Sequence, residues 1–432
     1  MTERKRDAIA QTLIERTKPF IPDLSDGAAR PKERPWQKWL DAKLGLRGYW
    51  YPIEASRNLT EGTPKVLTPL GEEILLMRKN GKVYAVEDRC MHRGARFSVR
   101  PLCLTDDTIT CWLHTFTFSL EDGTVRTVLN APESKLVGRP GIKVYPVEEA
   151  KGLIFIFIGD TQPHPLAEDV PPGFLDDDVA VYVADVALDQ ANWRLGVEGS
   201  FDPAHHFIHN WSTLAIHRGI PLSFGFVGNL ADLAASTQFF DQDGAPKGFV
   251  RKSGEGHMRF EADIPSADNG ASTRFVLPMA RAMSAEEIKA LQQNSYQIDV
   301  GVYLPGTVTV SPWPSAEITT AESFTPCTED THYYVRYGWK RVKSEAEREE
   351  WETGGMGELL WKIPNVDGFT VDDTMAREGV ARFYDEEDGF DREALMAPDI
   401  ELLMWRLFAS ENARAGVQEE KHTQGRFRKK PV

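Results

Sequence analysis

Cysteine is scarce in this chain. Its 432 residues include only four, Cys90, Cys103, Cys111 and Cys327. That is too few for a disulfide framework and suits a reducing cytoplasm. Long apolar runs are missing as well, since the longest, Leu153 to Ile158, is far too short to cross a bilayer. The opening stretch MTERKRDAIAQ carries charges where a signal peptide would have an apolar core, so no export is expected. Positive charge is not in excess. Lys and Arg number 50 against 65 Asp and Glu, a formal net charge of −15, which argues against nucleic acid as a partner. The short basic tail, His422 to Lys430, reads as a frayed, soluble end. A G-x-G-x-x-G unit following a strand is also absent, so the chain itself is expected to bind neither NADH nor flavin.

What is present is ordinary globular composition, 41% apolar and 27% charged, in a chain long enough for two domains and a helical preface. Residues 1–45 read as helical and charged, with Ile9, Leu13 and Ile14 on one weak face, a Pro/Gly-rich break, and a short helix within Trp36 to Leu46. Short β-like runs follow in residues 46–160. They are Lys65 to Leu70, Glu73 to Arg78, Val83 to Val86, Thr108 to Trp112, Thr115 to Leu120, Gly141 to Pro146 and Gly152 to Ile158, with Asn80-Gly81 as a hairpin turn. Residues 161–432 open on a proline-rich linker and then mix strands with helices. The strand candidates there are Val179 to Leu188, Thr273 to Pro278, Gln297 to Tyr303, Thr307 to Ser311 and Thr331 to Trp339, and Asp399 to Asn412 reads as a capped amphipathic helix. The fold class expected is α+β, a small all-β module docked on a larger mixed domain.

Two motifs carry chemistry. Cys90-Met91-His92 and Cys111-Trp112-Leu113-His114 form a C-x-H … C-x-x-H pattern, each pair beside a β run. It admits a structural zinc site closed by four ligands, or a Rieske [2Fe–2S] cluster with two thiolates on one iron and two imidazoles on the other. The single-residue gap in C-x-H is unusual for a zinc finger and no zinc-binding helix follows, which favours the Rieske reading. Cys90 and Cys111 would then hold the inner iron and His92 and His114 the outer one. The cysteines that tie the two ligand loops of high-potential Rieske proteins are absent, and Cys103 reads as a small core residue. The second motif is Glu198 to Asn210, EGSFDPAHHFIHN. As a helix it would set His205 and His209 on one face, a turn apart, able to grip one divalent metal. Asp202, one turn earlier, would hydrogen-bond a ligand histidine and fix its tautomer. His206, about 100° round the helix, reads as structural.

With both motifs in view the chain resembles the oxygenase component of the Rieske non-haem iron oxygenases, most closely the homotrimeric carbazole dioxygenase and 2-oxoquinoline monooxygenase type. The stretches that carry the likeness are Trp39 to Pro52, Asp88 to Val99, Thr108 to Phe118, Asn192 to His209, THYY (Thr331 to Tyr334) and DDTMARE (Asp372 to Glu378). The resemblance implies a Rieske domain joined to a catalytic domain with an antiparallel sheet flanked by helices, in a helix-grip or START-like arrangement. It makes His205 and His209 ligands of a mononuclear iron(II), completed by Asp373, with Asp372 beside it as the alternative. It also implies a trimer, in which Asp202 bridges His205 to His114 of a neighbouring subunit. One departure is Gly199-Ser200 after Glu198, where many relatives carry Asn. These positions border the family's substrate pocket.

The activity implied is dioxygenation of an aromatic, polycyclic or heterocyclic compound with O2, in the bacterial cytoplasm. Electrons would come from NADH through a separate reductase and a ferredoxin. A monooxygenase that hydroxylates a ring or removes an O- or N-methyl group, and a pure electron carrier, are the alternatives. Arg89, Arg93, Arg96 and Arg100 around the first ligand loop are the expected ferredoxin-docking residues. Residues 213–305 are expected to wall the pocket. Leu222, Phe224, Phe226, Phe239, Phe240 and Phe275 are its apolar candidates. Arg218, Arg251, Arg259, Arg274 and Arg281 would serve a carboxylated substrate, or else be mostly solvated surface.

Overall fold

The computed structural model describes residues 3–25, 31, 33–203, 205, 208, 230–242, 245–252, 262–265, 272–275, 299–313, 317–355, 357–358, 369–386 and 388–414. His206, His209, Leu222, Phe224, Phe226, Arg218, Arg259 and Arg281 lie outside them.

Strand Leu153–Ile158 joins the two halves of the molecule. It is apolar at every position and buried on both faces. Ile154, Ile156 and Ile158 enter one core with Trp193, Phe324 and Trp405, while Leu153, Phe155 and Phe157 enter a second with Phe174, Val181 and Tyr337. Side chains alternate across a strand, so an uninterrupted apolar run belongs between two cores rather than at a surface. It pairs antiparallel with Tyr49–Ala55 on one side and Val147–Ala150 on the other.

Two small antiparallel sheets complete the β module. One orders Lys65–Leu67, Ile74–Lys79, Lys82–Glu87 and Val144–Tyr145; the other orders Thr108–Thr110, Phe116–Ser119 and Val125–Val128. Asn80 and Gly81 turn the first hairpin with φ of 51° and 76°, the double positive φ that a two-residue loop of this type requires. Leu75, Met77, Val86, Phe97, Ile109 and Phe118 fill the space between the sheets, together with the thiols of Cys90 and Cys111. Cys103 is half-buried on the same core, its sulfur 3.5 Å from that of Met77.

The larger unit is an antiparallel sheet. Its path runs Val179–Val183, His332–Arg341, Thr319–Pro326, Thr307–Ser311, Asp299–Tyr303, Ala245–Lys252, Thr237–Gln242. The expected strand Val179 to Leu188 is two strands, Val179–Val183 and Ala187–Asp189, both paired with His332–Arg341. The break delivers Asp189 to the interior. Helix Ile400–Asn412 packs on this sheet and on the N-terminal helix Glu3–Thr17, which buries Ala10, Leu13 and Ile14. The short helix of the preface is Gln37–Asp41, and its Trp39 stands edge-on to Trp193 and Trp405 at 4.8 and 5.6 Å.

The second motif is not one helix. Helix Trp193–Phe201 is capped by Asn192 and stops at Asp202, whose φ of −57° and ψ of 120° are extended. The cause is Pro203, because a proline ring excludes the residue before it from the helical region.

Candidate metal centres

The two Cys/His loops are built alike. The Cys90 N–H donates to the Ala95 carbonyl at 2.9 Å while Gly94 N–H returns to the Cys90 carbonyl at 2.9 Å. In the second loop Cys111 N–H donates to Phe116 at 2.7 Å and Thr115 N–H returns to Cys111 at 2.9 Å. The returning residue has positive φ in both, 72° at Gly94 and 60° at Thr115. Each knuckle turns its thiol inward, and both cysteines are buried. The buried carboxylate of Asp88 takes the Ser98 N–H at 2.9 Å and ties the first loop shut. Trp112 Nε1 donates across to the Arg96 carbonyl at 2.9 Å. His92 and His114 stand edge to face on the outer side, ring centroids 4.6 Å apart.

The donor set suits a cluster with one buried thiolate iron and one outer imidazole iron. Burial pushes the Cys90 thiol up to about 12, with the adjoining Cys111 adding to the shift. Such a thiol ionises readily only when a metal takes the place of its proton. His92 is held below its ordinary range by loss of solvent and by the neighbouring His114, and a neutral ring is the form that ligates.

The second centre brings together residues from two distant segments. His205 Nδ1 lies 2.5 Å from the backbone carbonyl of Asp202. The ring N–H therefore sits on Nδ1, and Nε2 presents its lone pair. Asp202 thus meets the ligand histidine as expected, with its backbone carbonyl as the atom that fixes the tautomer. His205 Nε2 lies 3.6 Å from Asp373 Oδ1, both side chains 15% exposed. Two donors each about 2.1 Å from one ion stand about 3 to 3.6 Å apart, so the pair fits a shared metal. Of the adjacent carboxylates, Asp373 is the one that faces His205. Among the described residues no group of three or more His, Cys, Asp or Glu is placed to hold one metal ion; His209 lies outside them.

Several expected site residues have other roles. Arg251 is not solvated surface: it is buried and pairs with Glu401 at 2.8 Å. Phe239 is core, tilted against Phe249 and Phe408, whereas Phe240 is only partly buried and faces Tyr303. Arg89 bonds Glu73 at 2.9 Å and Arg96 reaches the same carboxylate, leaving Arg93 and Arg100 exposed with no ion pair among the described residues. Gly199 is filled in by the stem of Arg377, whose Cγ lies 3.4 Å from where a Cβ would be.

Sequence reasoning assigned no role to two buried polar groups. Glu198, on the helix that leads to His205, accepts from Trp39 Nε1 at 2.7 Å and from Arg406 at 2.6 and 2.8 Å. Arg406 also binds Glu393. On the other side Asp189, Arg377 and His332 are buried together. His332 and Arg377 fall inside THYY and DDTMARE, so their place in those stretches was the available signal. Burial, and then the Arg377 cation, push His332 down to about 4. The ring is neutral, with Nδ1 on the Ala191 carbonyl at 2.7 Å.

Comparison with known proteins agrees across almost the whole chain. A profile described as a homotrimeric ring hydroxylase matches residues 157–418, and one for a Rieske [2Fe-2S] domain matches residues 49–146. The terminal oxygenase component of carbazole 1,9a-dioxygenase from Metapseudomonas resinovorans is 37% identical over 400 residues, covering 93% of this chain and 99% of that protein. Its counterpart from a Sphingomonas species is 37% identical over 395 residues, covering 90% and 98%. Among solved structures, the carbazole 1,9a-dioxygenase terminal oxygenase of Nocardioides aromaticivorans superposes with a TM-score of 0.74 at 35% identity, covering 89% of this chain and 98% of that one. The reduced oxygenase–ferredoxin complex of carbazole 1,9a-dioxygenase gives 0.75 at 35%, covering 97% and 98%.

Proposed function

Because the chain belongs to the homotrimeric ring hydroxylases that carry a Rieske [2Fe-2S] domain, we propose that it is the terminal oxygenase of a multicomponent dioxygenase acting on planar aromatic or heterocyclic compounds of the carbazole and fluorene kind. The observation that carries the reading is that one chain presents both stations: the paired Cys/His knuckles, and His205 Nε2 facing Asp373 Oδ1 at 3.6 Å. Residues 46–160 form the cluster domain and residues 161–432 the catalytic domain, after a helical preface of residues 1–45. The protein works in the bacterial cytoplasm as a trimer. No helix among the described residues is long and apolar enough to cross a membrane.

Cys90 and Cys111 hold the inner iron of the cluster and His92 and His114 the outer one. His205, His209 and Asp373 hold the mononuclear iron(II). When bound, the cluster would supply single electrons and the iron would activate O2. The chain's own residues fix these groups. The Asp202 carbonyl holds the His205 tautomer, leaving the Asp202 carboxylate to bridge towards His114 of the partner subunit. NADH is consumed by a separate reductase, and a ferredoxin docks at the exposed arginines Arg93, next to His92, and Arg100.

The test is iron and acid-labile sulfide per chain on anaerobically purified protein, beside the His205→Ala variant. About three irons and two sulfides in the wild type, falling to about two irons with the red-brown colour kept, support both centres. Turnover of carbazole or fluorene with a surrogate ferredoxin and reductase then tests the substrate class. Zinc without sulfide would refute the reading.

A further inference from the structure

Asp373 and Arg377 are four residues apart on helix Phe369–Glu386. An acidic residue one turn ahead of an arginine is the favoured order for a pair along a helix. That default partner would be a competitor at the mononuclear site, since a guanidinium bound to Asp373 takes the lone pairs a metal needs.

The structure sends the arginine elsewhere. Arg377 Nη2 donates to Asp189 Oδ2 at 2.8 Å, and Thr374 Oγ1 lies 3.3 Å from the same oxygen and 3.1 Å from Nη2. Asp189 is 3% exposed and Arg377 is 2% exposed. The guanidinium also lies over the rings of Tyr334 and Phe324, 4.5 and 5.4 Å from their centroids. Its Nε and Nη1 have no hydrogen-bond partner among the described residues, so Asp189 is the carboxylate that holds it. Asp373 makes no ion pair with it among the described residues, yet its charge acts on Arg377 ahead of that of Asp189. The hydrogen bonds to Asp189, not distance from Asp373, are therefore what hold the guanidinium. Asp189 is placed for this by the break after Val183, which lets strand Ala187–Asp189 end against His332. Three residues on, Asn192 caps the helix that leads to Asp202 and His205.

We propose that Asp189 is a positioning residue for the mononuclear iron site: by holding Arg377 it keeps that guanidinium off Asp373 and leaves the Asp373 carboxylate to the metal. This rests on the reading that His205 and Asp373 bind the iron. Asp189 touches no metal itself. Its removal frees a buried cation whose nearest alternative, one helical turn away, is the ligand.

The experiment measures anaerobic Fe(II) affinity at the mononuclear site of the full-length, cluster-loaded protein, with the cluster absorption as an internal check. Asp189→Asn is expected to weaken Fe(II) binding on the order of tenfold, the low end for a supporting group around a metal. The double variant Asp189→Asn/Arg377→Gln loses the same contacts but carries no freed cation. It should recover to within about threefold of wild type, a rescue that a purely structural role would not produce. Wild-type affinity in Asp189→Asn with the cluster intact, or a double variant as weak as the single, would overturn the proposal. If Asp189→Asn does not fold, Thr374→Ala removes one donor to the same Asp189 oxygen and leaves both charges in place. A loss of about two- to threefold is expected there, and an unchanged affinity overturns the idea. His205→Ala separates the two levels. If it keeps its mononuclear iron, the site reading fails; if it loses the iron while Asp189→Asn does not, only this inference fails.

Discussion

Replacing Arg406 by methionine tests the buried charge network that anchors the helix leading to His205. The arginine is 1% exposed and spans Glu198 and Glu393, both nearly buried. Methionine keeps much of its volume and removes its charge, so two carboxylates would face each other in the interior without a cation. Breaking a buried pair from one side costs about 3–5 kcal/mol. Trp39 Nε1 still donates to Glu198 at 2.7 Å, which places the expectation near the low end, about 3 kcal/mol. With a urea slope of about 3 kcal/mol/M, reasonable for a chain larger than the usual small domain, the midpoint should fall by about 1 M. Tryptophan fluorescence is the assay, because Trp39, Trp193 and Trp405 cluster round the network. Neutralising all three together, Arg406→Met with Glu198→Gln and Glu393→Gln, should recover most of the loss, since no uncompensated charge remains. A shift below about 0.3 M in the single variant, or a triple variant as unstable as the single, would refute the reasoning.

Two further outcomes are expected. His332 is held near 4, below the ordinary value of about 6.5. The unfolded chain thus takes a proton that the folded chain refuses. Its contribution is full above about pH 6.5 and is lost as pH falls towards 4, about 2 kcal/mol between pH 7 and pH 5. Urea midpoints at those two pH values should show this drop reduced in His332→Gln, and an equal drop in both proteins would count against it. Reversing the charge at exposed Arg93 should lower the ferredoxin-dependent rate on the order of tenfold at low ionic strength and flatten its salt dependence. Arg89→Glu, which removes one of the two arginines that Glu73 binds, should act mainly on the loop, and steady-state rates over a salt series distinguish the two.

Features that depend on neighbours in the chain were legible without coordinates. The Asn80-Gly81 turn, the strands flanking it and the two Cys/His loops each rest on residues a few positions apart, where backbone geometry alone dictates the outcome. The apolar run Leu153 to Ile158 signalled burial, but its place between two cores needed both halves of the fold. The expected helix over Glu198 to Asn210 failed for a local reason instead. The spacing of Asp202, His205 and His209 suggested one continuous helix from Glu198, while Pro203 was a local signal that stops it at Asp202.

What the tertiary structure decided is which distant groups meet. One Asp among 65 acidic residues cannot announce itself as a ligand; Asp373 was reached through the likeness of its stretch, and folding brings it to His205. Arg377 and Arg406 stood out by nothing in the sequence and Arg251 read as a substrate or surface arginine, yet each is buried because a carboxylate from another segment is waiting for it. An isolated charge cannot leave water, whereas a paired one can. The sequence by itself therefore determined the local chemistry of the metal loops, and the pairing that frees or confines each charge was settled only when remote segments packed together.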